Sequence, residues 1–193
     1  MGYNYFPVDV GRWVIYDVDS IIHNNFTSTI DTFHFQIKEI IAGMFVDNEG
    51  RNTLRLERWK KENDTIDWRL QDVWYENLLD TKAEKVEENI RYIKLVFPVK
   101  EGKSWDGNAY NTLGTWNYTY TDVDVPLIIN NNTFDSTLTV LQLDNPLLIS
   151  YEHSEEQYAR GVGMIYKQYT FLDYQNIQPG LEFTMQVSSY SYE

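Results

Sequence analysis

The chain contains no cysteine, which excludes disulfides, thiolate nucleophiles and cysteine-held zinc or iron-sulfur centres. It has only 3 histidines, His23, His34 and His153, and none stands in an HxH, HxxxH or HExxH spacing that would set two imidazoles on one metal. No metal and no other cofactor is expected. Basic residues are scarce too: Lys and Arg total 16 against 29 acidic residues, for a net charge of -13. No basic cluster is dense enough to track a phosphate backbone against that field, so nucleic acid is not expected as a partner. The same field opposes docking on an anionic membrane surface, although a covalent lipid anchor would not depend on it. No apolar run of about 18 residues exists, so no transmembrane helix is expected. The opening MGYNYFP lacks the charged and apolar regions of a signal peptide. Two readings follow: a cytoplasmic protein, or one in which Met1 and Gly2 replace a removed leader.

What the chain does have is length and aromatic bulk. Its 193 residues support one sizeable core, and no shift in composition marks a linker, so a single domain over 1–193 is expected. Aromatics make up 16%, with 15 Tyr and 6 Trp, which favours β structure. Apolar and polar residues alternate in short runs separated by turn signals. GRWVIYDVDSII sets Val14, Tyr16 and Val18 on one side of a strand and Trp13, Ile15 and Asp17 on the other. TFHFQIKEIIAGMFVDNEGRNTLRLERWKK reads as a hairpin whose DNEGR turn uses Gly50 for a positive φ. Further strands are expected in TIDWRLQDVWYENL, from about Thr115 to Val125, in FDSTLTVLQLDN, and in the two C-terminal runs. Leu79, Ala83, Val86 and Ile90 recur at helical spacing, so a short helix near 80–88 competes with a strand there. About eight to ten strands result, and one closed or half-open antiparallel barrel, lipocalin-like or similar, is the economical way to remove their edges.

Three phrases, YFPVDVGRWVIYDVDSI, LVFPVKEGKSWDGNAYN and YARGVGMIYKQY, spread from Tyr5 to Tyr169, resemble a group of secreted lipoproteins of unknown function from Bacteroidetes. The resemblance implies a mature domain that follows a lipoprotein signal and a lipid-modified cysteine, placing the protein in the cell envelope, in the periplasm or on the outer membrane. It transfers no catalytic residue. Bacteria of that phylum attach O-glycans at Asp-Ser/Thr followed by a small or aliphatic residue, and the triplets at Asp19, Asp64 and Asp135 resemble that signal.

Several constellations carry candidate chemistry. Asp17 with Asp19, and Asp122 with Asp124, stand two residues apart and would share a strand face, where a carboxylate pair could hold Ca²⁺ or act as acid and base on a glycoside. The simpler reading is a strand with one wet face. Ser150 or Ser154 beside His153 lacks a nucleophile elbow. Gly161 and Gly163 fail the GxGxxG pattern because residue 166 is Tyr, and they read as a bulge or tight bend between two strands. The richest cluster is aromatic: Trp105, Tyr110, Trp116, Tyr118 and Tyr120 fall beside Asp106, Asn108 and Asn111. Such rings and amides suit a glycan or an apolar ligand at a barrel mouth, or they fill and cap a core. The candidate ligand-binding set is Trp105, Asp106, Asn108, Tyr110, Trp116 and Tyr118. The sequence thus points to a monomeric, non-enzymatic envelope domain that binds a small or extended ligand or supports an assembly. A glycan-binding module or glycan-directed enzyme built on 105–120 is the alternative.

Overall fold

A computed structural model describes residues 1–175 and 178–191. After a 3-10 turn over Tyr3–Tyr5, the described chain is β throughout. Its strands are β1 (Trp13–Asn24), β2 (Thr29–Val46), β3 (Asn52–Lys61), β4 (Arg69–Leu78), β5 (Lys82–Glu87) and β6 (Ile90–Val96) in the first half. The second half supplies β7 (Ser104–Asp106), β8 (Asn117–Ile129), β9 (Asn132–Pro146), β10 (Ser150–Ala159), β11 (Gly163–Asp173) and β12 (Gly180–Tyr190). They form one 12-stranded sheet in the order β6-β5-β4-β3-β2-β1-β12-β11-β10-β9-β8-β7, every ladder antiparallel. The sheet curls into a nearly closed barrel with a single seam between β6 and β7.

The expected barrel is therefore present, with more strands than the about eight to ten anticipated. The difference lies mainly at 79–96. The segment near 80–88 that could have been helical is β5, and Glu88 and Asn89, at φ 49° and 63°, turn it back into β6. Tyr75 and Leu78 of β4 pair with Val86 and Ala83, so sheet neighbours decide a segment whose own preference was ambiguous. Gly50, at φ 75°, closes the β2–β3 hairpin as expected. Gly161 and Gly163, at φ 73° and 96°, occupy the bend that hands β10 over to β11.

Inward positions near the end where the chain begins are apolar. Val14, Tyr16 and Val18 of β1 pack with Ile37, Ile165, Met185 and Val187, and Tyr5 with Leu95, Tyr118, Tyr120, Leu138 and Tyr158. The N-terminal segment stoppers this end. Tyr5 is fully buried, and its hydroxyl donates to Asp124 Oδ1 (2.7 Å) while hydrogen-bonding Ser136 Oγ (2.8 Å). The main chain is tied in by Gly161 N to Asn4 O (2.7 Å) and Gly11 N to Ile41 O (2.8 Å).

The strands are not equally long, and this shapes the opposite end. β3 reaches β2 only as far as Lys61 opposite Gln36, and β8 reaches β9 only as far as Thr119 opposite Leu141. The far ends of β2, β1, β12, β11, β10 and β9 therefore continue past the ring as a curved overhang.

Candidate functional site

Two features of the interior stand out. The first is a charged chamber, built where strands with an apolar inward face carry one charged residue in the series. On β2 the inward run is Ile37, Glu39, Ile41; on β3 it is Leu54, Leu56, Arg58. Glu76 from β4, Lys85 and Glu87 from β5, Lys94 from β6, Glu156 from β10 and Lys167 from β11 join them. Arg58 Nε contacts Glu39 Oε1 (3.0 Å) and its Nη1 contacts Asp72 Oδ2 (3.0 Å). Lys85 Nζ bridges Glu39 (3.0 Å) and Glu76 (3.4 Å). Lys94 Nζ likewise bridges Glu87 (2.9 Å) and Glu156 (2.8 Å), and Tyr158 Oη donates to the other Glu156 oxygen (2.7 Å). Trp74 lies under Arg58, with the guanidinium 3.8 Å from the ring centroid.

Burial alone would raise every one of these carboxyls, and the local cations decide which stay low. Lys85 and Arg58 outweigh it at Glu39, and Lys94 with Lys167 outweighs it at Glu87 and Glu156, so these three are held below the ordinary range. Glu76 has only Lys85 to oppose burial, and the Glu39 charge adds to it, so its pKa rises to about 7. A carboxyl at about 7 beside low ones is a pattern that acid-base catalysis uses. The cavity these groups line, with Phe6, Pro7, Ile41, Leu56 and Met164, holds about 80 Å³. That admits several waters, whereas small-molecule sites run to about 300–1,000 Å³.

The second feature is the inner face of the overhang. Residues directly opposite one another in a ladder share a face. One inner row runs Phe35, Val18, Met185, Lys167, Glu156 across β2, β1, β12, β11 and β10. The next row outward is Phe33, Ser20, Phe183, Tyr169, Ser154, and the third is Asp31, Ile22, Leu181, Phe171, Glu152. Phe33 is 50% exposed, and Ile22, Tyr169, Phe171, Leu181 and Phe183 are only half-buried. The intervening residues face out and are mostly polar, as in the row His34, Asp19, Thr184, Gln168, Glu155. The overhang is thus an amphipathic sheet whose apolar side looks onto the chamber's Lys167 and Glu156. Its rim is apolar as well: Phe26 is 98% exposed, and Leu147, Leu148, Ile149 and Tyr174 stand out from neighbouring turns. Those turns are joined by Asn25 Nδ2 to Gln178 O (2.6 Å) and Tyr174 N to Ile149 O (2.9 Å).

The aromatic cluster expected from sequence does come together, at the seam. Trp105 Nε1 donates to Ile93 O (2.9 Å) across it, and Ile93 N donates to Gly107 O (2.9 Å). The Trp105 ring packs on Tyr120 and Tyr118, with centroids 4.5 and 5.9 Å away, and Trp116 packs on Tyr118 at 6.0 Å. Asp106 Oδ1 accepts from Asn108 N and Trp116 N, both at 2.9 Å, and buried Asn108 donates to Gly114 O (2.9 Å). Tyr110 is exposed and accepts from Lys82 Nζ (2.6 Å).

The other candidates are dispersed. Asp17 and Asp19 lie on the wet outer face, bonded to Gln36 and His34. Asp122 and Asp124 do not sit in regular strand: both have positive φ, 54° and 60°, in a stretch where β8 slips register against β9. Asp124 is held at about 2 by hydrogen bonds from Ser136, Tyr5 and Arg160. Ser154 faces inward onto Gln142 Oε1 (2.8 Å), while the neighbouring His153 faces out, so they form no dyad. Among the glycan triplets, Thr65 lies on the exposed β3–β4 turn, whereas Ser20 and Ser136 are inside β1 and β9.

No protein family and no curated protein matches the chain. Among solved structures, it is similar to a protein inferred to be exported, with a YmcC-like fold, from Bacteroides fragilis NCTC 9343. The TM-score is 0.54 at 7% identity, over 97% of this chain and 98% of that one. A second similar structure is an inferred lipoprotein of Parabacteroides distasonis ATCC 8503, at TM-score 0.44 and 8% identity, over 97% of this chain and 98% of that one. At such identity the first likeness is one of fold.

Proposed function

We propose that the protein is a monomeric, non-enzymatic cell-envelope lipoprotein domain that binds an extended, largely apolar ligand on the inner face of its overhang. The observation that carries this reading is the half-exposed aromatic wall of Phe33, Phe183, Tyr169 and Phe171, set on a long-stranded half of the barrel. A wall with no ligand would leave that apolar area in water at about 25 cal/mol per Å². The charged chamber supports the non-enzymatic part, because its charges are mutually paired and its volume of about 80 Å³ is small for a sugar ring. We assign Trp105, Trp116 and Tyr118 to holding the seam.

The envelope setting is supported by the three family-like phrases and by the fold shared with the B. fragilis protein inferred to be exported. Reading the codons upstream of Tyr3 tests it: a leader ending in a lipid-attachment cysteine supports it, and a cytoplasmic domain there overturns it.

Binding is tested with the neutral apolar dye Nile red. A blue-shifted emission that Phe33→Gln weakens and the outer-face Thr32→Gln leaves unchanged is expected. No binding, or binding indifferent to Phe33, would overturn the reading.

A further inference from the structure

The overhang leaves one strand edge without a partner. β2 pairs with β1 from Thr29 to Ile40, but β3 meets it only from Gln36 onward. Among the described residues nothing pairs with Thr29 to Phe35 on that side. Seven residues at about 3.3 Å each make roughly 23 Å of edge, with every second N–H and C=O turned to solvent. Natural edges are usually guarded by lysine, proline, a bulge or short length. This one reads TIDTFHF, with Ile30 64% and Phe33 50% exposed and neither lysine nor proline. It is also flush with the aromatic wall, since Phe33 and Phe35 are the first members of the inner rows.

We propose that this edge takes an extended segment of another polypeptide by strand addition, a segment alternating apolar and basic residues. This rests on the overhang being the binding face. Main-chain hydrogen bonds to β2 would supply register, and alternate side chains would fall on the two faces. The apolar ones meet the wall of Phe33 and Phe183. The basic ones meet the acids beside the edge on the other side: Asp19 on the outer face, which contacts His34, and exposed Glu62 and Asp64 on the β3–β4 turn, which contact Lys60 and Lys61 and would exchange those partners for the peptide's. Charge selects this occupant over a second copy, because two chains at -13 would bring the same acids against each other. It also selects against an anionic bilayer, which Asp31 and Glu152 on the inner face would repel.

The test uses a synthetic peptide of alternating valine and lysine long enough to span Thr29 to Phe35, followed by fluorescence anisotropy and amide hydrogen exchange. Binding is expected, with slowed exchange at alternate amides from Thr29 to Phe35. Replacing alternate residues by proline, or lysine by glutamate, is expected to abolish it. Phe33→Lys is expected to weaken it roughly tenfold or more. Binding that protects no amide in 29–35, or that survives the proline peptide, would overturn strand addition. So would protection of 29–35 by self-association without peptide, or by phosphatidylglycerol vesicles. Nile red binding that persists while every peptide fails sinks this proposal and leaves the apolar-ligand reading standing; failure of both sinks both.

Discussion

Tyr120 Oη donates to Val96 O at 3.0 Å and accepts from Val96 N at 2.8 Å, so one side chain satisfies both main-chain groups of a residue on the far side of the seam. β6 and β7 share no ladder, and this hydroxyl does there what a neighbouring strand does elsewhere. Tyr120→Phe keeps the buried ring and removes both bonds. We expect a loss of about 1–3 kcal/mol in urea unfolding and faster amide exchange at Val96. An unchanged midpoint with unchanged exchange would show that the seam is held by packing alone.

Gly107 lies directly against the ring of Tyr118, where a Cβ would overlap Cε2 and Cζ. Gly107→Ala must push apart the Trp105, Tyr118 and Tyr120 stack, at a cost of about 1–3 kcal/mol. Thermal melting checks this, and Gly114→Ala, in open space but at φ 86°, gives the comparison for backbone strain alone.

Lys94 is buried between Glu87 and Glu156. Lys94→Met leaves two carboxylates facing an apolar side chain, and removing one partner of a buried pair costs about 3–5 kcal/mol. Lys94→Met with Glu156→Gln removes both charges, keeps an acceptor for Tyr158, and leaves Glu87 with Lys167 at 3.9 Å. The double variant is expected to be more stable than the single one; equal destabilisation would show the pair to be uncoupled.

Glu76 holds its proton more tightly in the folded barrel, where its pKa is about 7, than in the unfolded chain at 4.5. Between those values the native state carries the extra proton, so this group makes stability fall as pH rises, by about 1.4 kcal/mol per unit and about 3 in all. Glu39, Glu87 and Glu156 are depressed and act in the opposite sense, losing their contribution only in acid. Glu76→Gln is expected to flatten the fall between about pH 5 and 7 and to exceed the parent in stability at about pH 8. Urea midpoints across that range check it; parallel curves for both proteins would place the Glu76 pKa in the ordinary carboxylate range.

Much of the barrel was legible because alternation was strict. Val14, Tyr16 and Val18, set on one side of the first strand by sequence, are buried. Gly161 and Gly163 were readable as a bend, since glycine at positive φ is a local demand. Residues 80–88 were not, because LLDTKAEKVEENI satisfies two periods and only pairing with β4 selects one. The chamber left a signal that alternation alone could have exposed: Glu39 between Ile37 and Ile41, and Arg58 after Leu54 and Leu56, are charges at apolar-series positions. The overhang could not be read, since it depends on where β3 stops against β2 and β8 against β9. The cluster from Trp105 to Tyr120 was found, but ring composition does not say whether rings face a ligand or a neighbouring strand.

The seam falls between β6 and β7, the middle of the sequence, while β1 and β12 pair in the middle of the sheet, with Ser191 N bonded to Trp13 O at 3.0 Å. The chain thus comprises two meanders of sequential hairpins, and the ladder that joins them is the one between the strands most distant in sequence. A circular permutant that links β12 directly to β1 and opens in the 97–103 loop would read its strands in their spatial order. The β1–β12 pairing, which in the present order must close a loop of most of the chain, would become one more local hairpin, and folding is expected to speed up, which stopped-flow refolding checks.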